Sequence, residues 1–166
     1  TGSGVAKVGL ALDMEVIAWS QNLTKDRCEE VGATLVSKEE LMRRSDVLSV
    51  HIILSKRTRG LIGVDDLKQM KATSYLINTS RGPIIDEAAL VSALNENWIA
   101  GAGLDVFDQE PLPDDHPFRE LPNVFVTSHI GGRTYENFAA RYQDCLEDVL
   151  AWLDDKPIRI IESESG

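Results

Sequence analysis

Apolar and polar positions alternate along the chain in two rhythms that trade places repeatedly. Residues 1–12 carry Val5, Val8 and Leu12 at helical spacing, with Gly2, Gly4, Ala6, Gly9 and Ala11 between them, so Thr1 to Leu12 is predicted as a helix. Small residues on such a helix allow close packing on a sheet. Glu15 to Ser20 is a short apolar run, the mark of a buried strand. A charged segment from Thr24 to Val31 reads as a helix ending at Gly32, and Thr34-Leu-Val36 as a short strand. The alternation continues with a helix over Lys38–Arg44, N-capped by Ser37, and a strand over 47–53. Then come a helix over Val64–Met70, a strand over Ser74–Asn78 and a helix over Asp86–Glu96 with Ala89, Leu90, Ala93 and Leu94 on one face. Strands follow over Ile99–Val106 and Asn123–Thr127, then a long helix over Thr134–Leu153, Pro157 and a short apolar stretch. The polar tail Glu162–Gly166 is expected to be loose.

Strands alternating with helices specify an α/β fold, a doubly wound parallel sheet with helices on both faces. In such folds ligands bind beyond the C-terminal ends of the strands. Those ends are where the chemistry gathers. Thr79-Ser-Arg-Gly-Pro83 follows one strand, Asp105-Val-Phe-Asp-Gln-Glu-Pro111 the next, and Thr127-Ser-His-Ile-Gly-Gly132 the last. Taken singly, Arg81 reads as a surface cation, Glu110 as a turn residue and His129 as a structural histidine. Together at one sheet edge, two of them beside glycines, they form a reactive set. Arg81 offers a fork of donors for a carboxylate or a polarised carbonyl. His129 can pass a proton to a carbonyl oxygen and take it back. Glu110 on the second ring nitrogen would fix the tautomer and raise the histidine pKa. That chemistry suits interconversion of 2-oxo and 2-hydroxy acids. The hydride must come from a cofactor, because no side chain supplies one.

Composition narrows the partners. The 166 residues are 43% hydrophobic and 27% charged, with a formal net charge of −10. An acidic surface repels phosphate backbones, so nucleic acid is excluded as a partner. Cys28 and Cys145 lie far apart, outside any metal or redox spacing, which fits reduced thiols in a cytoplasmic protein and no bound metal. No apolar run reaches the length of a membrane span, and no signal peptide is visible.

Four stretches make the sequence recognisable: Ser45-Asp-Val-Leu-Ser-Val-His51, Ile77-Asn-Thr-Ser-Arg-Gly-Pro83, Ala102-Gly-Leu-Asp-Val-Phe-Asp-Gln-Glu-Pro111 and Leu121-Pro-Asn-Val-Phe-Val-Thr-Ser-His-Ile-Gly131. In order and spacing they resemble the D-2-hydroxyacid dehydrogenases. The resemblance implies a Rossmann-like NAD(P)-binding domain over residues 1–133, with 134–166 as a C-terminal helix and tail that packs on a substrate domain. It implies catalytic roles for Arg81, Glu110 and His129, and a nicotinamide contact for Asp105. It places Gly2, Ser20, His51, Ile52, Thr79, Ser80, Arg81, His129, Gly131 and Gly132 along the cofactor.

The sequence also departs from that family's pattern. Members open this domain with a strand and Gly-x-Gly-x-x-Gly, of which only the third glycine is matched, as Gly2. The first strand, central in the sheet, and the N-terminal substrate half-domain are not in the sequence. The expectation is exposed strand edges and a chain that is marginally stable, dimerises through those edges, or is a piece of a longer product. Ser20 stands where an acidic residue usually binds the ribose 2′-OH, so NADPH is as admissible as NADH, with Lys25 and Arg27 as possible sources of charge. Ile53 replaces a frequent proline, which alters loop shape. Two function classes stay open: a dehydrogenase acting on small 2-oxo or 2-hydroxy acids as a homodimer, and a non-catalytic nucleotide-binding or protein-interaction module of the same descent.

Overall fold

The computed structural model describes residues 1–161. The expected tail over Glu162–Gly166 lies outside them. The chain divides into two compact units, Thr1–His129 and the segment from Ile130 onward.

In the first unit the elements follow the predicted order: α1 (Gly2–Ala11), β1 (Ile17–Ala18), α2 (Lys25–Glu29), β2 (Thr34–Leu35), α3 (Lys38–Arg44), β3 (Val47–Val50), α4 (Val64–Gln69), β4 (Tyr75–Asn78), α5 (Glu87–Asn95), β5 (Gly101–Leu104) and β6 (Val124–Val126). Caps set several helix starts. Ser37 accepts from Glu40 N–H, and Asp86 from Ala89 N–H. Two single-turn 3₁₀ helices, Gly82–Ile84 and Pro117–Arg119, join them.

Every strand pairing is parallel, as an alternating β/α chain requires. The strands form two sheets: β1-β2, and β3-β4-β5-β6. The larger sheet holds the core. Leu48, Val50, Leu76, Ala102 and Leu104 on its strands pack with Leu67 of α4 and Leu90, Ala93 and Leu94 of α5. Leu67, Leu76 and Ala93 are fully buried.

The smaller sheet is different. No residue of α1 is buried, and Val5, Val8 and Leu12, whose spacing predicts packing on a sheet, are exposed. They line a cavity of about 670 Å³ that also touches β1 and β3.

The second unit contains α6 (Tyr135–Leu153), capped by Thr134, which accepts from Asn137 N–H. Arg159 pairs with Asp144, Glu147 and Asp148 on the acidic face of α6. Its other face carries the exposed Tyr135, Phe138, Tyr142, Leu146 and Val149.

Candidate functional site

The site is built on the C-terminal ends of β4, β5 and β6, which lie side by side. After β4 the chain turns sharply. Asn78, almost fully buried, accepts from Ser80 N–H (3.0 Å) and donates to the Arg81 carbonyl (2.9 Å), so one amide shapes the loop that carries Arg81. Ser80 Oγ donates to the Ile52 carbonyl at 2.6 Å and ties this loop to the segment after β3. Arg81 itself is exposed, with Nη1 donating to the Ser80 carbonyl.

The next residue has no alternative. A Cβ at Gly82 would sit 2.0 Å from the carbonyl carbon of Phe107, inside the backbone of the loop that follows β5. Glycine here lets the Arg81 loop and the Glu110 loop touch main chain to main chain. Glu87, in the first turn of α5, accepts from Asp108 N–H (3.2 Å) and meets His116 Nε2 at 3.1 Å. His116 Nδ1 accepts from Phe118 N–H, so its Nε2–H is the donor to Glu87.

Glu110 and His129 meet as expected. Glu110 Oε2 lies 2.7 Å from His129 Nδ1, and Oε1 accepts from Phe107 N–H at 3.0 Å. A carboxylate only accepts, so Nδ1 carries the proton and Nε2 is left for other chemistry. Burial pushes the Glu110 carboxyl up, but the His129 hydrogen bond, the Phe107 N–H and the Arg81 charge outweigh it and hold it below the usual carboxylate range. His129 adopts a left-handed backbone, φ 54°, at the end of the first unit. Asp105, buried at the end of β5, accepts from Thr127 Oγ1 and is joined through its N–H to the Asn78 carbonyl.

The remaining residues divide in two. Gly2, Ser20, His51 and Ile52 all line the 670 Å³ cavity beside β1 and β3. His51 Nε2 lies 2.9 Å from Ser49 Oγ, and burial pushes its imidazole below the usual histidine range. Thr79 is exposed at the start of the Arg81 loop. Gly131 and Gly132 belong to the second unit, where Asn137 Nδ2 donates to the Gly132 carbonyl. Arg27 lines the cavity with Ser20, whereas Lys25 pairs with Glu29. Sequence reasoning missed Asn78, Glu87 and His116, and for Gly82, which it read as letting a backbone approach a ligand, it missed the contact with the Phe107 main chain. The Arg-Gly-Pro run was the available signal, since proline opens short helices and glycine allows close approach.

A parallel α/β domain with polar residues at successive strand ends defines a nucleotide-binding class. Residues 1–131 match the family model described as D-isomer specific 2-hydroxyacid dehydrogenase, NAD binding domain, and the chain belongs to that family. It is 42% identical over 164 residues to a glyoxylate reductase of Aeropyrum pernix, covering 98% of this chain and 49% of that enzyme. Among solved structures it is similar to a D-isomer specific 2-hydroxyacid dehydrogenase from Lactobacillus delbrueckii ssp. bulgaricus in its NAD complexed form. That likeness has a TM-score of 0.80 at 31% identity, over 97% of this chain and 52% of the other. It is also similar to an acyclic imino acid reductase in complex with NADPH and D-Arg, with a TM-score of 0.76 at 34% identity, over 97% and 50%. The chain spans about half the length of the curated relatives it matches.

The residues present fit a dinucleotide. Gly2 and Ser3, in the first turn of the ten-residue α1, line the cavity together with Ser20 and His51. First-turn N–H groups are uncharged donors suited to phosphate, which is how an acidic chain can hold an anionic cofactor.

Proposed function

We propose that this chain carries the cofactor-binding half and the catalytic set of an NAD(P)-dependent D-2-hydroxyacid dehydrogenase that interconverts small 2-oxo and 2-hydroxy acids. The observation that carries this reading is the 2.7 Å contact between Glu110 and His129 Nδ1, with the Arg81 charge acting on the same carboxylate.

Gly2, Ser20, His51, Ile52, Thr79, Ser80 and Asp105 would hold the dinucleotide. The bound nicotinamide supplies a hydride to the carbonyl carbon. Arg81 binds the substrate carboxylate or polarises its carbonyl. In the reductive direction His129 starts as an imidazolium and gives its Nε2 proton to the carbonyl oxygen. It keeps the Nδ1 proton, held by Glu110, whose negative charge stabilises the imidazolium before transfer. In the oxidative direction Nε2 takes the proton back from the hydroxyl.

Either NAD or NADP is admitted. Neutral Ser20 does not repel a 2′-phosphate, and Arg27 faces the same cavity. We also read the protein as cytoplasmic, supported by its two free cysteines, and as a homodimer, supported by the exposed apolar face of α6. No helix among the described residues is long and apolar enough to cross a membrane.

The test is reduction of glyoxylate and hydroxypyruvate with NADH and with NADPH, alongside calorimetric binding of each cofactor. His129→Asn should lower turnover by about 10²–10⁴-fold, far more than it changes cofactor affinity. Arg27→Ala should weaken NADPH and spare NADH. Turnover unaffected by His129→Asn, or cofactor binding without any turnover, would remove the catalytic assignment and leave a nucleotide-binding module.

A further inference from the structure

Glu110 is carried by the long stretch between β5 and β6, and a second carboxylate grips that stretch. Glu87 stands in the first turn of α5, a helix anchored by its buried face of Ala89, Leu90, Ala93 and Leu94. Its Oε2 accepts from Asp108 N–H at 3.2 Å, and its Oε1 accepts from the Nε2–H of His116 at 3.1 Å. Residues 108 and 116 bracket Glu110, so one side chain closes the segment that holds it. The far side of His116 is fixed as well. Its Nδ1 accepts from Phe118 N–H at 3.2 Å, and its ring packs on the buried Phe118 with centroids 4.7 Å apart. Phe118 in turn faces the ring of Phe107 at 6.4 Å.

The hold falls on one peptide unit in particular. The Phe107 carbonyl lies against Gly82 and the Asp108 N–H goes to Glu87, so the peptide between them is held on both sides. The N–H just before it, that of Phe107, is the one that Glu110 Oε1 accepts while Oε2 meets His129 Nδ1. Two carboxylates thus accept consecutive main-chain N–H groups, one reaching from α5 and the other from within the loop. The side chains of Glu87 and His116 are 26% and 14% exposed, against 36% and 45% for Glu110 and His129. The inner pair is better shielded, and hydrogen bonds there are stronger than in solvent. Burial and the Glu87 charge push the Asp108 carboxyl up, more than Arg59 pulls it down, as expected of one carboxylate set beside another.

We propose that Glu87 and His116 are positioning residues for this site: they fix the 107–110 segment so that the Glu110 carboxylate holds the Nδ1–H form of His129 and leaves Nε2 for proton transfer. The inference rests on the catalytic reading of the Glu110–His129 pair and adds two residues that act through it. Residue 87 must be a carboxylate for this. Because His116 Nδ1 accepts from Phe118 N–H, its Nε2 is a donor, and Asp108 N–H is a donor too. A carboxylate accepts from both, whereas an amide at 87 accepts from one and turns its own N–H groups toward the other.

The tautomer of His129 reads this role and does not require turnover. The 166-residue chain, isotope-labelled in its three histidines, is followed by long-range proton–nitrogen spectra, with the ring assigned through His129→Asn. Spectra are taken at about pH 9, above the ordinary imidazole range. The wild-type ring should carry its proton on Nδ1. Glu87→Gln should lose that preference and shift the ring toward the Nε2–H form, because the tautomer follows the hydrogen bond the ring makes. His116→Phe should lose it in part, and His116→Gln, which keeps a donor near the place of Nε2, should retain most of it. Asp86→Ala removes the cap that Ala89 N–H uses, so it should loosen the same helix and leave the tautomer as in wild type. Hydrogen exchange at 89–90 and 102–104 reports whether helix and sheet stay folded in each variant. If Glu87→Gln loses protection there, the two His116 variants carry the test. An unchanged tautomer in a folded Glu87→Gln, an equal change in Asp86→Ala, or equal losses in the two His116 variants would overturn the proposal and leave the couple a brace with no influence on the site. A wild-type ring that favours Nε2–H would remove the Glu110–His129 reading itself, and the proposal with it.

Discussion

The two sheets of the first unit were made from the same kinds of residue and came out differently. The β3–β6 sheet has four strands in continuous register and side chains buried by α4 and α5. The β1–β2 sheet has two strands of two residues each, beside a helix with no buried residue. Hydrophobicity does not separate them, since α1 is rich in small and apolar residues. What separates them is a neighbour. An apolar helical face contributes stability only when a sheet lies under it, and an open strand edge provides half of one. The Arg81, Glu110 and His129 set hangs from the closed sheet. The Gly2, Ser20, His51 and Ile52 group borders the cavity.

The largest effect separating the halves is on stability. Leu76 is fully buried in β4, and Leu76→Ala should cost about 2–5 kcal/mol, measured by urea denaturation. Val8 on α1 is 61% exposed, and Val8→Ala should change stability by less than about 0.5 kcal/mol. Similar costs at the two positions in the free chain would break the comparison.

Most elements were legible because each is a local matter. Ser37 and Asp86 cap the helices that their positions predict, and the four-residue face of α5 is buried as its spacing requires. Strand lengths were not legible. The apolar run over 15–20 has only Ile17 and Ala18 in register, because pairing also needs a partner strand of matching length, here the two residues of β2. The contact of Glu110 with His129 was legible from the strand-end rule, although the two are 19 residues apart. Asn78, Gly82 and Glu87 were not. Their roles depend on loops from different strands meeting, as when Gly82 lies on the Phe107 carbonyl, and no spacing along one segment encodes that.

A smaller effect tests how firmly the closed half holds its strand ends. Thr127 Oγ1 donates to the buried Asp105 across β5 and β6. Thr127→Val keeps the side-chain shape and removes the donor, at a cost of about 1 kcal/mol for a side-chain hydrogen bond. The loss should appear in urea denaturation and as faster exchange near 104–106 and 124–127. Exchange at residues 17–18 should not change, because neither Asp105 nor Thr127 lines the cavity beside β1. Faster exchange there as well would show that the two sheets respond as one body.

The smallest effect is electrostatic. Burial opposes the charge on Glu110, while His129, the Phe107 N–H and Arg81 favour it more, so its folded pKa lies below the unfolded value. A depressed carboxylate contributes stability that is present above the unfolded pKa and is lost as pH falls through the folded one. Both partners are partly solvent-exposed, so screening keeps the contribution small. Wild type should therefore exceed Glu110→Gln in urea stability above the ordinary glutamate pKa of about 4.3, and the gap should narrow as pH falls below it and the carboxylate takes up its proton. A gap that persists or widens on acidification would mean that the Glu110 charge does not hold His129, and that the pair is kept in place by the surrounding loops alone.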